Sequence, residues 1–196
     1  MMIRSDDESV LRAVLANYDQ SNAINLLAFM ALLARLRGAN GNERTPGPAK
    51  RAPTADVPMK LPSLLSPQEM SADTRELGRV LLAIGTDTMP AWFSDSVGLP
   101  RHLAHWPGFL ALSVSVLAPW HDAIANSIHA VHQRAAVRGR ALAPLLAQLP
   151  VTTVNTRPIV AALEPFTQPF AIASLIPKVR MLRMALGSPP QAGRAL

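Results

Sequence analysis

The sequence predicts an all-α protein, and three observations carry that expectation. Long stretches such as AINLLAFMALLARLRG (23–38) are built mainly from Leu, Ala and Met, which lose little rotamer freedom in a helix. Gly38, Gly85, Pro107 and Pro119 punctuate such stretches at their ends. The one β-branched run, VTTVNT (151–156), is too short and isolated to define a sheet and reads as an extended connector.

In chain order, residues 9–38 read as the first helix. Its surface is apolar nearly all round, so burial on most sides is expected. Gly38 supplies a C-cap, and Arg35 and Arg37 favour the negative helix end. SDDES (5–9) offers a cap and first-turn acids for a preceding helix starting near Asp6. Residues 39–65 are a linker: six prolines fall from Pro46 to Pro67, with Gly41 and Gly47 among them. The linker's end, MKLPSLLSP (59–67), is more apolar and able to dock on the body. Ser66-Pro67-Gln68-Glu69 opens a second helix, with Ser as N-cap, Pro at N1 and Glu at N3. It runs to about Ile84. Residues 86–100 form a loop with room for one helical turn. RHLAHW (101–106) is a short helix, ended by the restriction Pro107 places on Trp106. GFLALSVSVLA (108–118) follows, then a long helix opened by Pro119 and reaching about 149. Two helices near 157–168 and 170–187 close the body, and 188–196 are a tail.

Composition narrows the function classes. The chain has 196 residues, 49% hydrophobic and 16% charged, enough for one ordinary core. The absence of cysteine excludes disulfides, Cys-based zinc sites and a thiol nucleophile. It fits a reducing compartment, and a cytoplasmic location is the expectation. MMIRSDDESV (1–10) holds three acids and no apolar signal core. Between Arg101 and Asp122 no charged residue occurs, nearly a membrane-spanning length. His102, His105, Pro107 and Pro119 interrupt it, so two core helices meeting at Trp106-Pro107 are expected, and no membrane partner. The net charge is +6. Arg44, Lys50, Arg51 and Lys60 lie in or beside the linker; Lys178, Arg180 and Arg183 lie near the C-terminus. Only 5% of residues are aromatic and none sits in the linker, so these cations read as solvated surface and no nucleic acid is expected. There is no G-x-S-x-G, P-loop, G-x-G-x-x-G or H-E-x-x-H motif.

A weak internal repeat links the two ends. With a shift of 148, residues 13–38 align with 161–186, with identities at Ala13/Ala161, Leu15/Leu163, Gln20/Gln168, Ala23/Ala171, Ile24/Ile172, Leu27/Leu175 and Arg35/Arg183. The alternative is chance similarity between two Ala/Leu helices.

Three stretches together, NYDQSNAINLLAFMALLARL (17–36), GLPRHLAHWPGFLALSVSVLAPW (98–120) and FAIASLIPKVRMLRMALG (170–187), resemble the group I 2-haloacid dehalogenase (DehI-like) family. The resemblance implies an all-helical fold of two pseudo-repeats joined by a linker, with the site between them. In that frame 1–38 are the tail of repeat one, 39–65 the linker, 66–187 a full repeat two and 188–196 a tail. It also implies hydrolysis of 2-haloacids without metal or cofactor: an aspartate activates water for direct attack on the α-carbon, and an asparagine positions it.

Carried onto this chain, Asn22-Ala23-Ile24-Asn25 occupies the place of the family's N-x-x-Tyr element, with Asn25 where tyrosine is expected. Asn22 is then the orienting amide, or else a cap or surface amide at a helix break near Ser21. The family sets a Ser-Asp pair a few residues before the Arg of R-x-L-A. Here Ser94-Asp95 lies further upstream of Arg101, so Asp95 is either the base or a loop aspartate capping the next turn. Arg101 is able to hold a substrate carboxylate bidentately, to pair with an inward acid, or to cap carbonyls. Trp92 is a candidate pocket wall, with packing as the alternative. His102/His105 and His129/His132 each share a helix face, yet no acid completes a metal set, so no metal or cofactor is expected. The expected function is a 2-haloacid dehalogenase-type hydrolase acting on a small carboxylate. The alternative is a non-catalytic helical protein that binds a ligand or partner, and a homodimer supplying one site in trans is a third arrangement.

Overall fold

A computed structural model describes residues 5–38, 61–86, 89–148 and 156–187. All regular structure among them is helical: α1 (Ser5–Leu36), α2 (Ala72–Ala83), α3 (Ala91–Ser96), α4 (Gly98–Leu103), α5 (Pro107–Leu117), α6 (His121–Leu142), α7 (Arg157–Thr167) and α8 (Ser174–Ala185). The all-α expectation holds. The linker body 39–60, the connector 151–155 and the tail 188–196 lie outside the described residues, as do Arg44, Lys50, Arg51 and Lys60.

Helix α1 is the axis of the fold. It is one unbroken helix of 32 residues, about 48 Å long at 1.5 Å per residue. The acids Asp6, Asp7 and Glu8 sit in its first turn, so the expected separate N-terminal helix and the break near Ser21 are both absent. The apolar run carries the helix through Ser21 because Asn22 and Leu26 are buried on one continuous face. Helices α6, α7 and α8 pack along α1, while α2 packs on α4 and α5. Leu11, Leu15 and Leu26 of α1 meet Leu103, Ile128 and Val179 in one contiguous core.

Several boundaries differ from expectation, each for a local reason. At Ser66–Glu69 the Glu69 carboxylate does reach back to the Ser66 N–H at 2.6 Å, but the Glu69 N–H goes to the Ser66 carbonyl at 3.0 Å and not to its hydroxyl, which closes only a turn. The helix starts at Ala72, where Ser71 Oγ accepts from Thr74 N–H at 3.1 Å. Arg75 donates to the Pro67 and Met70 carbonyls at 2.8 and 3.0 Å, acceptors that a continuous helix would have used internally. The stretch read as loop contains α3 and the first turn of α4. Trp106 turns out of the helical region (φ −126°, ψ 73°) before Pro107, which is the first residue of α5. Pro119 sits in a short 3₁₀ turn, Ala118–Trp120, and α6 itself begins at His121 and ends at Leu142, before Pro144. The last helix is not continuous from 170: a π-type turn, Pro169–Ala173, leaves Ala171 non-helical, and Ser174 Oγ takes up the Ala171 carbonyl at 2.8 Å. Residues 13–36 thus lie along one helix, whereas their counterparts 161–184 span α7, this turn and α8.

Two stretches, Pro107–Leu146 and Arg157–Ala185, are long and apolar enough by composition to cross a membrane. Here the first is interrupted at Ala118–Trp120 and the second at Ala171, and both pack on other helices.

Helices α1 and α6 cross in backbone contact. A Cβ on Gly139 would lie 2.6 Å from Met30 Cβ and 2.8–2.9 Å from backbone atoms of Met30 and Ala31. Helix propensity favours alanine over glycine by about 1 kcal/mol. Contact with backbone cannot be relieved by a rotamer change, so overpacking of about 1–3 kcal/mol outweighs that gain. Gly139→Ala is expected to lower the urea unfolding midpoint; an unchanged or higher midpoint would show that the helices separate at no cost.

Candidate functional site

The sequence motif R-H-L-A-H spends its polar groups on the chain's own backbone. Helix α4 and the residues after it face the segment 61–66, the end of the linker. His102 Nε2 lies 2.9 Å from the Pro62 carbonyl, His105 Nε2 2.8 Å from the Ser63 carbonyl, and Arg101 Nε donates to the Leu65 carbonyl at 2.7 Å. A carbonyl only accepts, so both Nε2 atoms carry hydrogen. His102 Nδ1 is then an acceptor, and it receives the Tyr18 hydroxyl of α1 at 2.7 Å. Burial pushes the His102 pKa down, in keeping with the neutral ring this chain of bonds requires. Burial raises the Tyr18 pKa, while the nearby Arg101 charge acts in the opposite direction. The contact is close: a Cβ on Gly98 would stand 2.4 Å from the Tyr18 oxygen. The docking of the linker's end is thus realised through backbone carbonyls.

Two further histidines are also occupied. His132 Nε2 bonds the Thr167 carbonyl at 2.9 Å, and His121 Nδ1 accepts from Gly85 N–H at 3.1 Å. Among the described residues no group of three or more His, Cys, Asp or Glu side chains is placed to hold a metal.

The residues singled out from the family resemblance are distributed as follows. Asn22 is 7% exposed on the packed face of α1, one turn beyond Tyr18, and its Nδ2 has no hydrogen-bond partner. Asn25, three residues on, is exposed. Arg101 lies near Tyr18 and is anchored to Leu65. Asp95 lies on α3, and its side chain is outside the described residues. Trp92, on the same helix, is 46% exposed and belongs to an aromatic chain. Its ring meets Phe93 and Phe166 edge-on at 5.5 and 5.8 Å; Phe166 in turn meets Phe29, and Phe93 meets Phe170. Those contacts pin α3 to α7 and to the turn before α8, and α7 in turn to α1. Trp92 and Asp95 share one short helix, and Tyr18 and Arg101 meet at α4, with Asn22 one turn further along α1.

Two groups escaped the sequence reading. The basic residues near the C-terminus were expected on a solvated surface, but Lys178 is fully buried and Arg183 is 8% exposed. Asp19 of α1 holds both Arg183 Nη1 and, at 3.0 Å, Arg180 Nε. Lys178 Nζ donates to the Leu82 carbonyl at 2.5 Å in the last turn of α2. The signal was present: Leu175, Lys178, Val179 and Leu182 fall at i, i+3, i+4 and i+7, which places Lys178 on the apolar stripe.

No protein-family model, curated protein or solved structure matches this chain.

Two outcomes follow. Asp19→Asn leaves the nearly buried Arg183 charge uncompensated and is expected to cost about 3–5 kcal/mol in chemical unfolding; a cost below 1 kcal/mol would mean the triad is solvent-screened. Burial pushes the Lys178 pKa down to about 7 from 10.5. Between those values the unfolded chain binds the extra proton and the folded one does not, so folding stability rises with pH. Its slope approaches about 1.4 kcal/mol per pH unit. Below pH 7 both states are protonated and this contribution is flat, with stability at its lowest. Lys178→Met is expected to abolish the climb between pH 7 and 10; an equal climb in the variant would assign it to other groups.

Proposed function

We propose that this chain is a non-catalytic helical protein that binds a small ligand or a partner, built on a frame resembling the 2-haloacid dehalogenases. The observation that carries this reading is the closure around Asn22. Displacing halide from a 2-haloacid needs a base, an oriented water and a dry pocket around the reacting carbon. The amide the resemblance assigns to water is enclosed within the helix packing, 7% exposed. Arg101, the candidate for the substrate carboxylate, gives its Nε to the Leu65 carbonyl. Trp92 contributes to packing between α3 and α7.

A second reading, hydrolysis with Asp95 as base and Asn22 as orienter, is favoured by one observation. The Asn22 Nδ2 is a buried donor without an acceptor, and buried polar groups of that kind often face a ligand or water. The two readings differ in measurable ways. Halide release from racemic 2-chloropropionate by the purified chain is expected to be nil. Release that Asp95→Asn abolishes would overturn the binding reading. Asn22→Leu removes an unsatisfied buried amide and is expected to stabilise the fold by about 1–3 kcal/mol. A loss of stability would show that the amide is satisfied in solution.

A further inference from the structure

Acids and bases are shared unevenly along the chain. Between Asp122 and Glu164 there is no Asp or Glu, but there are four arginines, Arg134, Arg138, Arg140 and Arg157. Helix α1 has no acid after Asp19, and α8 has none at all. Helix α6 packs on both. Its C-terminal half therefore meets no carboxylate on α8 or on the part of α1 it crosses at Met30 and Ala31. Glu164 of α7 is engaged with Arg37. Asp122, at the start of α6, lies about 18 Å from Arg134 along the axis at 1.5 Å per residue. That is beyond the screening length of about 8 Å at physiological salt.

Two of these arginines stand on the solvent side of α6. Arg134 and Arg140 are exposed, and so is Val137 between them, at 54%. The three follow at three-residue spacing, on the side opposite the buried Ala135 and Gly139. Leu145, in the 3₁₀ turn Ala143–Gln148 that follows, is equally exposed. Neither Arg134 nor Arg140 has a hydrogen bond or ion pair with a described residue. Arg138 has an interaction of its own and is left out of the argument. A cation in the last turn complements the helix dipole, which accounts for Arg140 but not for Arg134, about two turns earlier. The patch thus has an aliphatic centre between two cations, with no acid of this chain's described neighbouring helices to answer them.

We propose that this face of α6, formed by Arg134, Val137, Arg140 and Leu145, docks an acidic amphipathic helix of a partner protein. The partner's apolar stripe covers Val137 and Leu145, and carboxylates beside that stripe meet the two guanidinium groups. Two other polyanions fit less well. Helix α6 has no Phe, Trp or Tyr, so it offers nucleic-acid bases no stacking platform. A bilayer takes up bulky apolar side chains, and a valine and a leucine offer it little. The proposal deepens the binding reading and rests on it, because it names the partner's chemistry.

The test is a titration of the full chain into a fluorescent synthetic peptide with leucine along one helical face and glutamate flanking it, read by anisotropy. Saturable binding is expected, weakening as salt rises from about 0.05 to about 0.5 M. The pair Arg134→Gln and Arg140→Gln is expected to weaken binding about fivefold or more at low salt. Val137→Ala is expected to weaken it about threefold at either salt level. The control pair Ser63→Glu and Gln68→Glu removes the same net charge at exposed positions away from α6 and is expected to leave binding nearly unchanged. Equal weakening by the control pair would assign binding to net charge and overturn the face. So would no saturable binding, or tighter binding to duplex DNA or to phosphatidylserine vesicles than to the peptide. Halide release is a separate readout: it would overturn the binding reading and leave the peptide result as measured.

Discussion

The rotational setting of α1 is the constraint on which the rest of the fold depends. A helix apolar nearly all round has no preferred face, because one leucine fills a core position much as another does. Two neighbouring residues remove that freedom. Tyr18 donates to His102 of α4, and Asp19 pairs with Arg183 of α8. Successive residues stand about 100° apart around a helix, so these two bonds fix α1 against two different partners at once. The Gly139 crossing then sets how closely α6 approaches. Polar pairs of this kind contribute modest net stability, but leaving either partner alone is costly, so they select one packing over its near alternatives.

Much of the architecture was legible from residue type. The helical stretches, the break at Trp106-Pro107 and the stop near Gly85 all follow from local preferences that tertiary packing reinforces. The misreadings share a cause: competition between local signals. Ser66 and Ser71 are both good N-caps, and the choice went to Ser71 because Arg75, a residue beyond either cap, captures the carbonyls that a longer helix needed. Short α3 was hidden among Pro, Gly and Ser, and it is held by rings from α7 and the turn before α8, far along the chain.

The candidate site was legible only in part. The motif R-H-L-A-H did mark the place where polar side chains converge, but not what they bind. Backbone carbonyls leave no signature in a sequence, so a histidine bonded to one reads like a free ligand. Lys178 shows the reverse. A cation among leucines reads as surface if charge is weighed alone and as core if its position in the helical repeat is weighed first.

The strap formed by residues 61–66 has an unequal relation to the helix beneath it. Arg101, His102 and His105 recognise three peptide carbonyls, and every residue type has one. The hydrogen-bonded part of this recognition is therefore indifferent to the strap's own side chains and demanding of α4. A change of side chain in the strap leaves these three acceptors in place, whereas a change at Arg101, His102 or His105 removes a donor.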